Sequence, residues 1–198
     1  MCGRYNFTVE QSQEMEEILE KINVKFHGNK GKTGEIFPTD LAPILIEEHK
    51  EIAPTLSTWG FPNYNNKGVL INARAETAFE KKTFRESLLS RRCIIPSTGF
   101  YEWDSEKRKF LFQQNSTNAL YMAGLYNYYD EVMRFVILTT EANESMKDIH
   151  HRMPLVIPKE ELSEWILDSR ITNEILHRVP PLLNKIMQQN EQLSMFEV

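Results

Sequence analysis

Apolar residues in this chain follow two spacings. Near the amino end Met15, Ile18, Leu19 and Ile22 recur at i, i+3, i+4 and i+7, the repeat of one helical face. Thr8 and Gln11 read as a capping box ahead of them, so a helix is predicted over 9–22. From residue 42 the pattern changes to short β-type runs at 42–47, 55–61, 69–72, 92–95, 100–103, 109–113, 119–126 and 133–140. Helices are predicted at 78–90, at 158–168 with Leu162, Trp165 and Ile166 inward, and at 172–178. The stretch from Asn29 to Gly34 is a polar turn whose glycines lack the spacing of a phosphate loop. Many short strands with few helices between them predict an α+β fold, one domain with a mostly antiparallel, barrel-like sheet and flanking helices. That domain is assigned to 1–189, followed by a polar tail at 190–198.

Composition narrows the setting. A chain of 198 residues, 41% hydrophobic and 26% charged, is the size and make-up of one globular core. No apolar run reaches the roughly 18 residues of a membrane span, and Met1-Cys2-Gly3-Arg4-Tyr5 lacks the apolar centre of a secretory signal. Cys2 and Cys93 are the only cysteines, so no disulfide framework is expected and a reducing cytoplasm is the expected setting. Cys93 sits in an apolar run and reads as an inert buried thiol. His27, His49, His150, His151 and His177 have no zinc-like spacing, and no metal or cofactor is expected. The net charge of −5 argues against a globally basic nucleic-acid binder. It conceals a local excess of bases between Arg74 and Arg92, where a basic face and an ordinary solvated helix surface are both open readings.

Chemistry enters at residue 2. A cysteine small enough to permit loss of Met1 would begin the mature chain with a free amine and a thiol on adjacent carbons. Both groups hold reactive fractions near neutral pH, with reference values of about 7.7–8.0 and about 8.5. Such a 1,2-aminothiol condenses with an aldehyde to an imine, and the sulfur then closes a thiazolidine ring. Three further polar segments sit at the ends of apolar runs, where loops present side chains to a cleft. They are Ile71-Asn72-Ala73-Arg74-Ala75-Glu76-Thr77, Gly99-Phe100-Tyr101-Glu102-Trp103 and Ile149-His150-His151-Arg152-Met153-Pro154. Taken singly, Glu102 reads as a solvated strand residue or, if turned inward, as a proton carrier. His150 alone reads equally as a structural loop histidine, Asn72 as a turn cap, and Arg74 and Arg152 as partners of surface carboxylates.

Together with Met1-Cys2-Gly3-Arg4-Tyr5, Trp59-Gly60 and Arg92-Cys93-Ile94-Ile95-Pro96, these segments resemble the SOS-response-associated peptidase domains, understood as abasic-site processing proteins. The resemblance spans about residues 1–180. It implies the α+β fold of that family and binding of single-stranded DNA that carries an abasic site. It also implies capture of the lesion's aldehyde by Cys2 as a thiazolidine crosslink. Asn72, Glu102 and His150 take the other active-site places. Arg4, Arg74 and Arg152 are expected to hold flanking phosphates, with Thr140 adding a hydroxyl contact. Relatives place large apolar residues just after the Trp-Gly pair. Here the segment is Phe61-Pro62-Asn63-Tyr64-Asn65-Asn66-Lys67, and only Tyr64 is placed to stack on a base.

Two alternatives use the same residues: a thiol (auto)peptidase built on Cys2 and His150, and a lyase acting through a Cys2 Schiff base. A third reading dispenses with chemistry and makes the chain a single-stranded DNA-binding adaptor for the sliding clamp. Gln192, Leu193, Met195 and Phe196 resemble the short peptide by which bacterial repair proteins bind the replicative sliding clamp. The expected state is a monomer in the cytoplasm, associated with the nucleoid.

Overall fold

The computed structural model describes residues 2–10, 12–63, 67–114 and 119–188. Tyr64 and the tail residues Gln192, Leu193, Met195 and Phe196 lie outside the described residues. In chain order the elements are β1 (Tyr5–Phe7), α1 (Gln13–Lys25), β2 (Gly34–Ile36), β3 (Leu41–Glu48), β4 (Glu51–Trp59), β5 (Phe61–Pro62), β6 (Val69–Leu70) and β7 (Asn72–Arg74). They continue with α2 (Lys82–Ser90), β8 (Arg92–Ser97), β9 (Gly99–Trp103), β10 (Lys109–Gln113), β11 (Leu120–Tyr129), β12 (Val132–Glu141) and β13 (Arg152–Pro154). The last are α3 (Leu162–Leu167), α4 (Thr172–Leu176) and β14 (Asn184–Met187).

Strands β11, β8, β3, β4 and β12 pair in that order, and β12 pairs back onto β11, so the sheet closes into a barrel. All those pairings are antiparallel except β4 with β12. A second sheet runs β14-β10-β9-β1-β2. The chain passes from barrel to second sheet at Thr98, whose N–H donates to Asn6 O at 2.8 Å. Closure removes the sheet edges that would otherwise need protection.

The core explains why these runs persist as strands. Trp59, Phe61, Phe135, Phe100 and Phe112 are fully buried. Trp59 stacks on Phe135 at 6.1 Å and meets Tyr5 edge-on at 5.3 Å, geometries that suit aromatic quadrupoles. Trp59 is followed by Gly60 at φ +112°, where a Cβ would press on Val69 at 2.7–2.8 Å. Only glycine fits that corner without strain, which accounts for the Trp-Gly pair.

The amino-terminal helix differs from expectation at both ends. It starts at Gln13 after an extended Ser12 that makes no side-chain cap, and it continues to Lys25. Thr8 does not cap it; its N–H donates instead to Thr98 Oγ1 at 3.3 Å, and Gln11 lies outside the described residues. Tertiary pairing of β1 thus displaces the local cap signal. The inward face is as predicted, with Met15, Ile18 and Ile22 buried.

Arg92 ties two helices to the barrel. Its Nε and Nη2 donate to Trp165 O at 2.6 Å and Ile166 O at 3.2 Å, and Nη1 donates to Leu88 O and Leu89 O at 3.0 Å each. One buried cation therefore satisfies carbonyls at the carboxyl ends of α2 and α3, where the helix dipole favours positive charge. Arg92→Met keeps the apolar stem and orphans those carbonyls. Urea unfolding is expected to show a loss of roughly 3 kcal/mol. A loss below about 1 kcal/mol would mean that water replaces the guanidinium without cost.

Candidate active site

β1 carries the chain start into the middle of the second sheet, between β2 and β9. Tyr101 N–H donates to Arg4 O at 2.9 Å, which extends the β1–β9 contact toward Cys2. Cys2 is fully buried. Its carbonyl accepts a hydrogen bond from Asn72 Nδ2 at 3.0 Å, and Glu102, 5% exposed on β9, acts on it as a near charge. Burial, and secondarily the Glu102 carboxylate, push the Cys2 thiol well above its ordinary range, against the weaker opposing pull of the Arg4 backbone and the α-amino charge.

Asn72 is positioned from behind. Trp59 Nε1 donates to Ile71 O at 3.0 Å, and Ile137 N–H donates to the same oxygen at 3.1 Å. The tryptophan that touches Tyr5 on one side therefore holds the residue before Asn72 on the other. Asn72 Oδ1 is buried and accepts no hydrogen bond from the described residues, which leaves an acceptor beside the residue 2 backbone.

The third segment arrives along β12. β12 pairs with β7 on one side and with β13 on the other, so that Thr139 lies opposite both Arg74 and Pro154. His150 sits just before β13. Its Nδ1 lies 2.9 Å from Arg152 N and 3.1 Å from Arg152 O. A backbone N–H can only donate, so Nδ1 accepts from Arg152 N and Nε2 is the ring nitrogen placed to donate.

The arginines differ in what they are doing. Arg152 is 7% exposed and grips Glu76 with both terminal nitrogens, at 2.6 and 2.9 Å, while Nη2 also reaches Thr139 O at 2.5 Å. The hydrogen bonds from Arg152 hold the Glu76 carboxyl below the usual carboxylate range. A phosphate at this place would have to compete with Glu76, and the pair braces β13 against the turn at Ala75–Thr77 that follows β7. Arg4 is half-buried. It pairs with Glu35 at 3.2 Å and lies over the rings of Phe37 at 4.4 Å and Trp103 at 5.0 Å. Arg74 is exposed and forms no ion pair among the described residues. Thr140 is 9% exposed and lines an open groove of about 500 Å³ with Glu76, Asn143 and Arg178.

Sequence reasoning passed over Glu76, Phe37 and His151. Glu76 lies inside a quoted motif, and its partner 76 positions away carries no local signal. Phe37 lies beside a turn, and only its contact with Arg4 gives it a place. His151 stacks on His150 with ring centroids 4.5 Å apart and planes 24° apart; the adjacent pair was visible, the stack was not. Among the described residues no cluster of histidine, cysteine or carboxylate side chains is arranged to hold a metal ion, and no helix is long and apolar enough to cross a membrane.

The arrangement has relatives. The family model for the SOS response associated peptidase (SRAP) matches residues 1–198. The chain belongs to this family. The abasic site processing protein YoaM of Bacillus subtilis is 43% identical over 183 residues, covering 84% of this chain and 79% of that protein. The abasic site processing protein YedK of Escherichia coli is 30% identical over 182 residues, with 84% and 79% covered. A solved structure of a Bacteroides thetaiotaomicron protein superposes with a TM-score of 0.79 at 22% identity, over 97% of this chain and 94% of that one. That last likeness concerns the fold, and it is the α+β barrel that the strand pattern predicts.

Proposed function

We propose that this SRAP-family protein captures abasic sites in single-stranded DNA through Cys2, exposed as the amino terminus once Met1 is removed. The observation that carries the reading is the enclosure of Cys2 with its carbonyl held by Asn72 Nδ2 and the Glu102 carboxylate beside it. In the proposed sequence the Cys2 amine adds to the ring-opened deoxyribose aldehyde to give a carbinolamine, which loses one water to form an imine. The Cys2 S–H then adds across the C=N bond: sulfur bonds to carbon, the proton goes to nitrogen, and a thiazolidine results. Glu102 takes a proton from the Cys2 ammonium, freeing the amine that attacks, and returns one to the departing hydroxyl, which leaves as water. His150 Nε2–H donates to the sugar oxygen as the ring opens. Asn72 fixes the residue 2 backbone, with Oδ1 positioned to accept from the new ammonium. Arg4 and Arg74 contact flanking phosphates. Arg152 acts through Glu76.

A cysteine peptidase needs a thiol lowered toward the thiolate, and in the chain that carries Met1 burial and then Glu102 raise the Cys2 thiol. A lyase would share the imine, and ring closure by the adjacent sulfur intercepts it before β-elimination. The test is intact mass after mixing with single-stranded DNA carrying one abasic site. The expected product is a heat-stable adduct equal to the chain without Met1, plus DNA, minus one water. An unmodified protein that has lost Met1 would overturn the mechanism.

We also propose that residues 192–196 bind the sliding clamp, placing the protein in the cytoplasm at replication forks. The support is the pattern Gln192-Leu193-Ser194-Met195-Phe196, an apolar anchor pair in a polar segment. Purified clamp is expected to retain the full chain and to lose a chain lacking 191–198. Equal retention of both would remove this proposal and leave the aldehyde chemistry untouched.

A further inference from the structure

Beside His150 the surface holds a depression of about 520 Å³ in which the proposed function gives Lys147 and His151 no part. It is lined by Arg74, Glu141, Ala142, Lys147, His151 and Arg152. Two segments far apart in sequence build it: β7 brings Arg74, and the connection from β12 to β13 brings Lys147 and His151. Arg152 is committed to Glu76, and Lys147 pairs with Glu144 at the exposed rim. Glu141 is the carboxylate facing the depression that has no cation of its own among the described residues. Against it stand Arg74, Lys147 and an exposed imidazole whose ring is fixed by the stack on His150.

We propose that this depression is a phosphodiester site for the DNA strand next to the lesion, and that His151 is its proton-responsive ligand. The inference rests on the abasic-site reading and adds to it a residue and a pH dependence. Two features single out His151. A loop imidazole ordinarily turns freely, whereas this one lies 4.5 Å from a second ring at a plane angle of 24°, so its edge is presented in one direction. Its surroundings also make it respond to an anion. Desolvation, then His150, the α-amino group, Arg152 and Arg74 hold the His151 imidazole below its ordinary value, so it is neutral in the unliganded protein near pH 7. A phosphate placed among Arg74, Lys147 and His151 reverses the sign of that field and raises the imidazole.

The sign of the linkage follows. The DNA complex holds a proton on His151 that the free protein has released, so affinity rises as pH falls through the interval between the free and the bound value. Below the free value both states are protonated and the dependence vanishes. The proton comes from solvent and no covalent bond changes.

The test uses the full chain and a single-stranded oligonucleotide with a tetrahydrofuran in place of the abasic sugar. This analogue has no aldehyde, so binding is read without crosslinking. At constant ionic strength the wild-type protein is expected to bind roughly three- to tenfold more tightly at about pH 6 than at about pH 8, the upper figure being far below the limit of one proton per complex. Its log–log salt slope is expected to be steeper at the lower pH by about 0.7, one more charge on a single strand. His151→Gln removes both differences. His151→Lys carries its charge at either pH and binds at pH 8 as the wild type does at pH 6. Full pH dependence in His151→Gln, or no gain at pH 8 in His151→Lys over His151→Gln, overturns the site. The aldehyde-bearing oligonucleotide supplies the separate arm. An adduct without any effect of residue 151 sinks this proposal alone, whereas His151-dependent binding without an adduct sinks the crosslinking chemistry alone.

Discussion

Cys2→Ala is expected to eliminate the heat-stable adduct while leaving an adduct that borohydride can trap. The two halves of that result come from different atoms. Alanine at position 2 keeps the α-amine, which still forms an imine with the deoxyribose aldehyde, and reduction fixes that imine as a secondary amine. Only the sulfur converts the reversible imine into a ring, so heat and water return the alanine variant to free protein and free DNA. A companion chain with one glycine inserted between Met1 and Cys2 keeps the thiol and moves the amine away from it, and the same loss is expected. Gel electrophoresis after heating, with and without borohydride, separates the cases. A heat-stable adduct in Cys2→Ala would assign the capture to another nucleophile.

Glu102→Gln is expected to slow adduct formation by about 10²- to 10⁴-fold, the range for losing a positioned proton carrier. The substitution changes little in volume, and the residue is 5% exposed between the aromatic neighbours of β9, so the strand is preserved. An amide cannot take the proton that frees the Cys2 amine for attack or return it to the departing hydroxyl. Single-turnover kinetics with excess protein reads the chemical step, and anisotropy on the tetrahydrofuran oligonucleotide reads binding, which is expected to stay within about twofold. A rate within threefold of the wild type would show that water carries these protons. A parallel fall in binding would show that Glu102 supports the shape of the pocket instead.

What the chain discloses about itself depends on how local each cause is. The barrel strands are legible because alternating and continuous apolar runs arise from their own residues. The face of α1 is legible for the same reason, with Met15, Ile18 and Ile22 buried. Its start was not, because Thr8 is claimed by Thr98, 90 positions away. The strands β1, β2, β13 and β14 have three, three, three and four residues, too short to show a period; β1, β13 and β14 are each held by a longer strand, and β2 by β1. At the candidate site the motifs single out Cys2, Asn72 and Glu102, and the structure adds the hydrogen bond that joins the first two. The pairing of Arg152 with Glu76 at 2.6 Å was not legible, since the two lie 76 positions apart.

The pocket around Cys2 is assembled from chain made long after it. Asn72 follows Cys2 by 70 positions, and the β9 residues that pair with β1 are Gly99 and Phe100. At a synthesis rate of about 5–20 residues per second, roughly 5–20 s pass before those partners have even been polymerised. During that interval the amino end is an unpaired nascent segment. Afterwards residue 2 is fully enclosed. In the proposed chemistry, the capture site therefore does not exist until Asn72 and β9 have been made and have paired with an amino end that was synthesised first.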